Sequence, residues 1–182
     1  MHRRFLALAL AGATVAASAQ ILGAPPGTPE QRSLPDTPEW KELDAPPPPA
    51  LRTGGLIPID VPGTSLHFGV DPASVTVGKD RIVRYVVVAT SNSGAVNGMN
   101  EGIRCDAGEV KVYARHNPDS GWVPVPDANW VPLHSTPNTR YSLIIARSGV
   151  CFNNSANGSA AQIVRDLRSP VDRRFERGGV NQ

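Results

Sequence analysis

The chain has 182 residues, with 18 lysines and arginines against 16 aspartates and glutamates. Residues 1–19 hold two arginines and no acidic residue, so the remaining chain has 16 of each sign and is formally neutral. Because no run of basic residues interleaved with aromatics is available to follow a phosphate backbone, we expect no nucleic-acid partner.

The first nineteen residues have the features of a secretory signal peptide. Arg3 and Arg4 give a basic start, residues 5–17 are apolar, and small residues precede Gln20. An apolar stretch of about 13 residues is too short to span a bilayer, which takes about 18 to 20. We therefore expect cleavage after Ala19, export to the periplasm, and no stable membrane insertion of the mature chain.

Residues 20–56 are predicted to form a proline-rich linker. They hold nine of the 18 prolines, and the run at residues 46–49 favours a stiff polyproline spacer. Trp40 lies within this segment, and it either docks on the domain surface or stays in solvent. An envelope protein is a candidate partner for contact through the linker.

Residues 57–168 have a globular pattern, and residues 169–182 are predicted to form a flexible C-terminal tail. A segment of about 112 residues suffices for one hydrophobic core and not for two. Near its start, apolar residues alternate with others at Leu66, Phe68 and Val70, as in a half-exposed strand. The sequence therefore predicts a single domain that begins with strands.

The centre of the predicted sheet is the segment 82–90, whose apolar residues supply both faces of a strand. Residues 91–100 are rich in Ser, Asn and Gly and are predicted to form a loop. Residues 109–115 alternate strictly between apolar and polar residues. This alternation predicts that Ala114 points inward and that Arg115 points outward.

The second half of the domain changes to a helical period. Residues 141–146 fit a helix or a strand, and we favour the helix because Pro137 suits its first turn with Thr136 as N-cap. A second helix is predicted where apolar residues recur at i, i+3, i+4 and i+7. These residues are Ala160, Ile163, Val164 and Leu167. The predicted fold class is α+β, a small antiparallel β-sheet with two C-terminal helices packed on one face.

Cys105 and Cys151 are the two cysteines of the chain. In an oxidising compartment they are expected to form a disulfide, and closing a loop of about 47 residues is worth on the order of 4 kcal/mol. The competing interpretations are a metal site and a reactive thiol. Because the chain has no C-x-x-C motif and its histidines are scattered, we expect no metal and no cofactor.

The domain also carries a set of distinctive motifs. They are the segments 78–88, 93–95, 101–105 and 111–114, together with Glu42, Asn97, Trp122 and Trp130. In these motifs the chain resembles the cryptic neisserial protein family, from Trp40 to beyond Cys151, with departures at Arg81 and Met99. The resemblance implies export to the periplasm of a Gram-negative bacterium, and it implies no particular activity.

The predicted function is a non-enzymatic binding module or accessory of the cell envelope, because a small tethered domain needs only a surface for that role. The alternative is a small periplasmic hydrolase or other enzyme. Its candidate residues are Arg84, Asn97, Glu101 and Arg104, since a carboxylate beside an arginine can act as acid, base or anion clamp. A structural interpretation competes, in which Glu101 and Arg84 form a buried ion pair between neighbouring strands. No nucleophile elbow, phosphate loop or catalytic-triad motif favours an enzyme.

Overall fold

The computed structural model describes residues 40–134 and 136–169. The predicted signal peptide at residues 1–19, the linker before residue 40 and the tail from residue 170 lie outside the described residues. Within the described ranges, no helix is long and apolar enough to cross a membrane.

Most of the described chain forms one large antiparallel sheet. The strands are β1 (Ile57–Ile59), β2 (His67–Val70), β3 (Thr76–Val77), β4 (Val83–Thr90), β5 (Val96–Arg104), β6 (Glu109–Asn117), β7 (Gly121–Pro124), β8 (Val131–Pro132), β9 (Cys151–Phe152) and β10 (Ser155–Ala156). The first eight belong to this sheet, in the order β1-β2-β4-β5-β6-β7, with β3 paired to β4 and β8 paired to β6. All residues of β4 except the last are buried, which suits a valine-rich strand covered on both faces.

The helical elements follow the large sheet in sequence. α1 (Arg140–Ile145) continues into a π-helical turn (Ala146–Val150), and α2 (Ala160–Leu167) comes after β10. The hydroxyl oxygen of Ser159 accepts the amide N–H of Gln162 and so caps the start of α2. Residues 141–146, which the sequence fitted to either a helix or a strand, thus belong mainly to the helix α1.

The predicted fold class, a small sheet with two C-terminal helices packed on one face, is wrong. Within the described residues the large sheet has eight strands, and β9 and β10 form a second, two-stranded sheet. β1 and β8 were missed because strands of two or three residues carry no readable alternation. Half of β5 was taken for a loop, since residues such as Gly98 and Asn100 have low strand propensity.

One face of the large sheet packs against the helical segment and forms the hydrophobic core. Val83, Tyr85 and Val87 alternate onto this face from β4, while Ile145 and Ile163 reach it from α1 and α2. All five side chains are almost completely buried, and burial of one such side chain contributes about 1.5–3 kcal/mol. This layer therefore holds α1 against the sheet and fixes the side chains that α1 carries.

A disulfide joins Cys105 to Cys151, as predicted. Cys105 follows β5 directly, and Cys151 begins β9 after the π-helical turn. The bond therefore ties the end of a long strand of the sheet to the chain that leaves α1.

The other face of the sheet is covered by residues 40–56, which we call the strap. Trp40 Nε1 donates to the Asp80 carbonyl oxygen at 3.0 Å, and Trp122 Nε1 donates to the Pro49 carbonyl oxygen at 2.7 Å. Trp40 thus docks on the domain and does not stay free in solvent, the other alternative that the sequence allowed. The predicted linker is not a free spacer from residue 40 onward, because this part packs on the sheet.

Two glycines of the sheet allow the strap to lie close to it. A Cβ on Gly98 would lie 2.6 Å from Leu51 Cδ1, and a Cβ on Gly69 would lie 2.8 Å from Leu56 Cβ. Both separations are well below the optimal distance between carbon atoms, about 3.5–4.0 Å. A larger residue at Gly98 would require the Leu51 side chain to move, and one at Gly69 would require Leu56 to shift.

Candidate functional site

An open cleft of about 580 Å³ lies on the side of the sheet that faces α1. Its walls are the connection between β1 and β2 and the start of α1, and its base is formed by β2, β4, β5 and β6. The volume falls in the range of small-molecule sites, about 300–1,000 Å³. The cleft is therefore large enough to be a binding site for a small molecule.

The base of the cleft is apolar and aromatic. Phe68 of β2 and Tyr141 of α1 stack with ring centroids 4.8 Å apart and planes inclined by 13°. Ala89 of β4 and Met99 of β5 lie on the same base. Flat rings beside a polarizable thioether offer a surface on which an apolar or aromatic group can pack.

The rim of the cleft carries basic and amide side chains. Arg115 comes from β6, Arg140 begins α1, Asn97 lies on β5, and Asn138 precedes α1. All four residues are exposed. Within the described residues neither arginine takes part in an ion pair, so both guanidinium groups can bind another molecule.

Arg115 faces the cleft because the pairing of β5 with β6 is irregular. The register shifts between Asn100 and Glu101, so that Asn100 lies opposite Ala114 whereas Glu101 lies opposite Val112. One extra residue on β6 reverses the alternation of side chains beyond it. Ala114 is buried and Arg115 is exposed, as predicted, but the shift puts Arg115 on the cleft side of the sheet and Ala114 on the strap side, which the alternation did not indicate.

Glu101 is completely buried beneath the cleft, among three hydroxyl groups. Tyr85 donates to its Oε2 at 3.0 Å, Ser142 donates to the same oxygen at 3.2 Å, and Tyr141 donates to Oε1. Burial raises the pKa of Glu101 to about 7, although the three hydrogen bonds and the charge of Arg115 act in the opposite direction. Near neutral pH the carboxyl is thus only partly ionised.

Tyr141 separates this buried carboxyl from the cleft. Its ring lines the cleft, while its hydroxyl donates to Glu101 and lies 3.3 Å from Met99 Sδ. Burial and the nearby carboxylate raise the pKa of Tyr141, which keeps the hydroxyl protonated as a donor. Glu101 therefore acts on the cleft through its charge and through Tyr141.

The four predicted site residues do not form one cluster. Asn97 lies on the cleft rim and Glu101 lies beneath its base. Arg84 and Arg104 do not line the cleft and have acidic partners of their own. The sequence therefore indicated two residues of this region and two residues that belong elsewhere.

Arg84 pairs with Asp80 and not with Glu101. Its Nη2 lies 2.6 Å from Asp80 Oδ2, and its guanidinium lies 5.6 Å from the centre of the Tyr113 ring. Arg84 is the strand partner of Gly102, one position beyond Glu101, and successive side chains point to opposite faces. The predicted ion pair between Glu101 and Arg84 is wrong for this reason.

Arg104 helps to hold the strap. Its guanidinium lies 3.9 Å from the centre of the Trp40 ring, a cation–π contact. Its Nε lies 3.2 Å from Asp106 Oδ1, and its Nη1 lies 3.5 Å from Glu109 Oε2. These contacts give Arg104 a structural role at the strap side of β5.

Four residues that form the cleft were not singled out by any sequence motif. They are Phe68, Arg115, Arg140 and Tyr141. They come from two strands and one helix, β2, β6 and α1, and the topology alone brings them together. One signal was available: Arg140 stands in the first turn of a helix, where the helix dipole disfavours a positive charge and where a basic residue therefore invites a functional explanation.

The arrangement can bind an anion more readily than it can carry out acid–base chemistry. The positive groups are at the open rim, whereas Glu101, whose pKa is raised by burial and lowered in part by the charge of Arg115, is shielded by Tyr141. Across residues 40–134 and 136–169, no group of three His, Cys, Asp or Glu side chains is placed to hold a metal ion.

The comparison with protein families covers both the strap and the cleft. The model of the CNP1-like family matches residues 35–168. The chain belongs to the CNP1-like family. Since the match begins before Trp40, the strap is part of the CNP1-like domain. No curated protein and no solved structure matches the chain.

The CNP1-like domain should lose stability as the pH rises through neutrality. The unfolded chain releases the Glu101 proton near pH 4.5, whereas the folded state holds it to about pH 7. The folded state thus binds more protons between these values, so its stability is full below the lower value and falls as the pH rises through the upper one. We expect a loss of about 2.5 kcal/mol, measured by urea unfolding near pH 5 and near pH 8.

Glu101→Gln cannot ionise and should remove this pH dependence, while Glu109→Gln, at a less buried carboxyl, should keep it. Full pH dependence in the Glu101→Gln variant would show that Glu101 is not the source of the pH dependence.

Proposed function

We propose that this protein is an exported, periplasmic, non-enzymatic binding module that holds a small molecule in the cleft. The observation that carries the proposal is the combination of an aromatic base with two arginines, Arg115 and Arg140, that have no ion pair within the described residues. Small-molecule sites combine mostly apolar walls with a few placed polar groups, and this cleft has that composition.

Two features support export. The disulfide between Cys105 and Cys151 is typical of an oxidising compartment. Residues 1–19 have the sequence of a signal peptide, and the resemblance to the cryptic neisserial protein family agrees with CNP1-like membership. N-terminal sequencing of the protein from a periplasmic fraction should begin at Gln20, and a start at Met1 would contradict export with cleavage.

A hydrolase that uses Glu101, Arg104 and Arg84 has less support. The three side chains have separate partners, and Glu101 is shielded from the cleft by Tyr141. Contact with an envelope protein through residues 20–39 stays a prediction, because this part of the predicted linker lies outside the described residues.

A tryptophan in place of Asn97 should block the cleft. Asn97 is exposed on the rim, so the larger side chain should occupy the ligand space without disturbing the core. For the wild type, the small-molecule filtrate of a periplasmic extract should raise the melting temperature by about 10 °C when the ligand is well above its Kd. The Asn97→Trp variant should show no such increase.

Asn117→Trp is the matched control, because Asn117 is exposed at the end of β6 and does not line the cleft. Its response to the filtrate should equal that of the wild type. An equal response in the Asn97→Trp variant, or none in the wild type, would overturn the proposed function.

A further inference from the structure

We infer that the cleft binds a small organic anion, with a carboxylate or phosphate held by Arg115 and Arg140 and a ring-sized apolar body packed on Phe68 and Tyr141. The inference rests on the proposed function and deepens it by naming the chemical class of the ligand.

The charge of the cleft has one sign. Arg115 and Arg140 bring two positive charges, and none of the residues that line the cleft is acidic. The carboxyl coupled to Arg115 is Glu101, which is buried behind Tyr141 and only partly ionised near neutral pH. An anionic ligand therefore binds without first breaking an ion pair of the rim.

The two arginines reach the same space from separate elements. Arg115 is the strand partner of Met99, which lies on the base of the cleft. Arg140 begins α1, and its Nη1 lies 3.4 Å from the position that a Cβ on Gly63 would take, at the connection between β1 and β2. A guanidinium group donates two parallel N–H bonds to a carboxylate or phosphate. These positions put the anionic head of the ligand at the rim.

The base determines the rest of the ligand. Phe68 and Tyr141 form a stacked pair of rings. With Met99 they make an apolar surface that lines the same cleft as the two arginines. A volume of about 580 Å³ leaves room for a ring with a short side chain. Neither an inorganic anion nor a hydrocarbon uses both parts of the cleft, so the ligand needs an anionic head and an apolar body.

Isothermal titration calorimetry on the full mature protein tests the ligand class directly. The probes are phenylacetate, phenyl phosphate and benzyl alcohol, which share a ring and differ in the head group, with inorganic phosphate as the head group alone. We expect one of the two ring-bearing anions to bind at least about 10-fold more tightly than both benzyl alcohol and inorganic phosphate. The tighter of the two anions identifies the head group as carboxylate or phosphate.

Arg115→Gln and Arg140→Gln should each weaken binding of that anion by about 10-fold or more, and leave binding of benzyl alcohol unchanged. Arg115→Lys and Arg140→Lys should keep part of the affinity, because they keep the charge and lose the paired geometry. Arg147→Gln is the matched control, since Arg147 is exposed and does not line the cleft. Because all three positions are exposed, the melting temperatures should stay close to that of the wild type.

Three results would overturn the inference. The first is binding of benzyl alcohol as tight as that of the anions, and the second is an unchanged anion affinity in the Arg115→Gln variant. The third is stabilisation by the periplasmic filtrate with no binding of either ring-bearing anion, which would remove the ligand class and leave the proposed function in place. No stabilisation by the filtrate and no binding of any probe would remove both.

Discussion

Asp80→Ala is expected to lower the free energy of unfolding by about 3–5 kcal/mol, because it leaves the Arg84 guanidinium buried without its counter-charge. Both residues are buried, and Arg84 Nη2 lies 2.6 Å from Asp80 Oδ2. The same carboxylate accepts the amide N–H of Leu43 at 3.0 Å and that of Ile82 at 3.3 Å. One substitution therefore breaks an ion pair and also removes a hydrogen bond between the strap and the sheet.

Electrostatics at this site favour the charged pair. Burial disfavours ionised Asp80, but its hydrogen bonds with Arg84 and with the amides of Leu43 and Ile82 outweigh burial and hold its pKa below the usual value. Since the folded-state pKa is depressed, this stabilisation is present at neutral pH and is lost only as the pH falls through the acid range.

Urea unfolding followed by tryptophan fluorescence measures the loss, and Trp40 near Asp80 reports the strap. The matched control is Asp106→Ala, whose ion pairs with Arg81 and Arg104 are more exposed and worth about 1 kcal/mol or less. Replacing both partners, Asp80→Leu with Arg84→Met, should recover part of the stability, because no buried charge then stays unpaired. A loss below about 1 kcal/mol for Asp80→Ala would contradict the expected cost of leaving Arg84 buried without its counter-charge.

Removal of the disulfide is expected to cost about 4 kcal/mol of unfolding free energy. Cys105 and Cys151 are 46 residues apart in sequence, so the bond removes much of the freedom of the unfolded chain. The double variant Cys105→Ala, Cys151→Ala should therefore unfold at a lower urea concentration than the oxidised wild type.

Reductant provides the control for this experiment. It should lower the stability of the wild type toward that of the double variant, and it should not affect the double variant. Titration of the denatured, unreduced wild type should find no free thiol. Two free thiols, or equal stability of the oxidised wild type and the double variant, would contradict a stabilising disulfide.

Parts of the fold were predictable because their signals are local. β4 was recognised from a run of apolar β-formers, and the segment Ala160–Leu167 was recognised from its helical period. The disulfide followed from the number of cysteines and the expected compartment. In each case a single segment, or a simple count, carries the information.

The fold class was not predictable, because several elements have meaning only in their pairing. β1 and β8 have three and two residues, and they exist through hydrogen bonds to other strands, β2 and β6. β5 contains Gly98 and Gly102, which weaken a strand on its own. In the sheet, Gly98 makes room for the Leu51 side chain of the strap. The strand formed by β5 thus depends on the strap that packs against it.

The candidate site shows the same division. Glu101 and Asn97 were named as candidates from their residue types, but their neighbours were not. An irregularity in the pairing of β6 turns Arg115 toward the cleft, and the packing of α1 on the sheet brings Arg140 and Tyr141 to it. Neither the register shift nor the packing of α1 leaves a trace in the local sequence pattern.

By itself, the sequence determined the central strand, the cysteine pair, the balanced charge and the features of an export signal. These depend on composition or on the period of one segment, which is readable without knowledge of the fold. Only the tertiary structure decided that the strap packs on the sheet, that Arg84 pairs with Asp80, and that the rim of the cleft is basic. Each of these depends on contacts between residues far apart in the chain or on the face to which a side chain points, and strand pairing sets both.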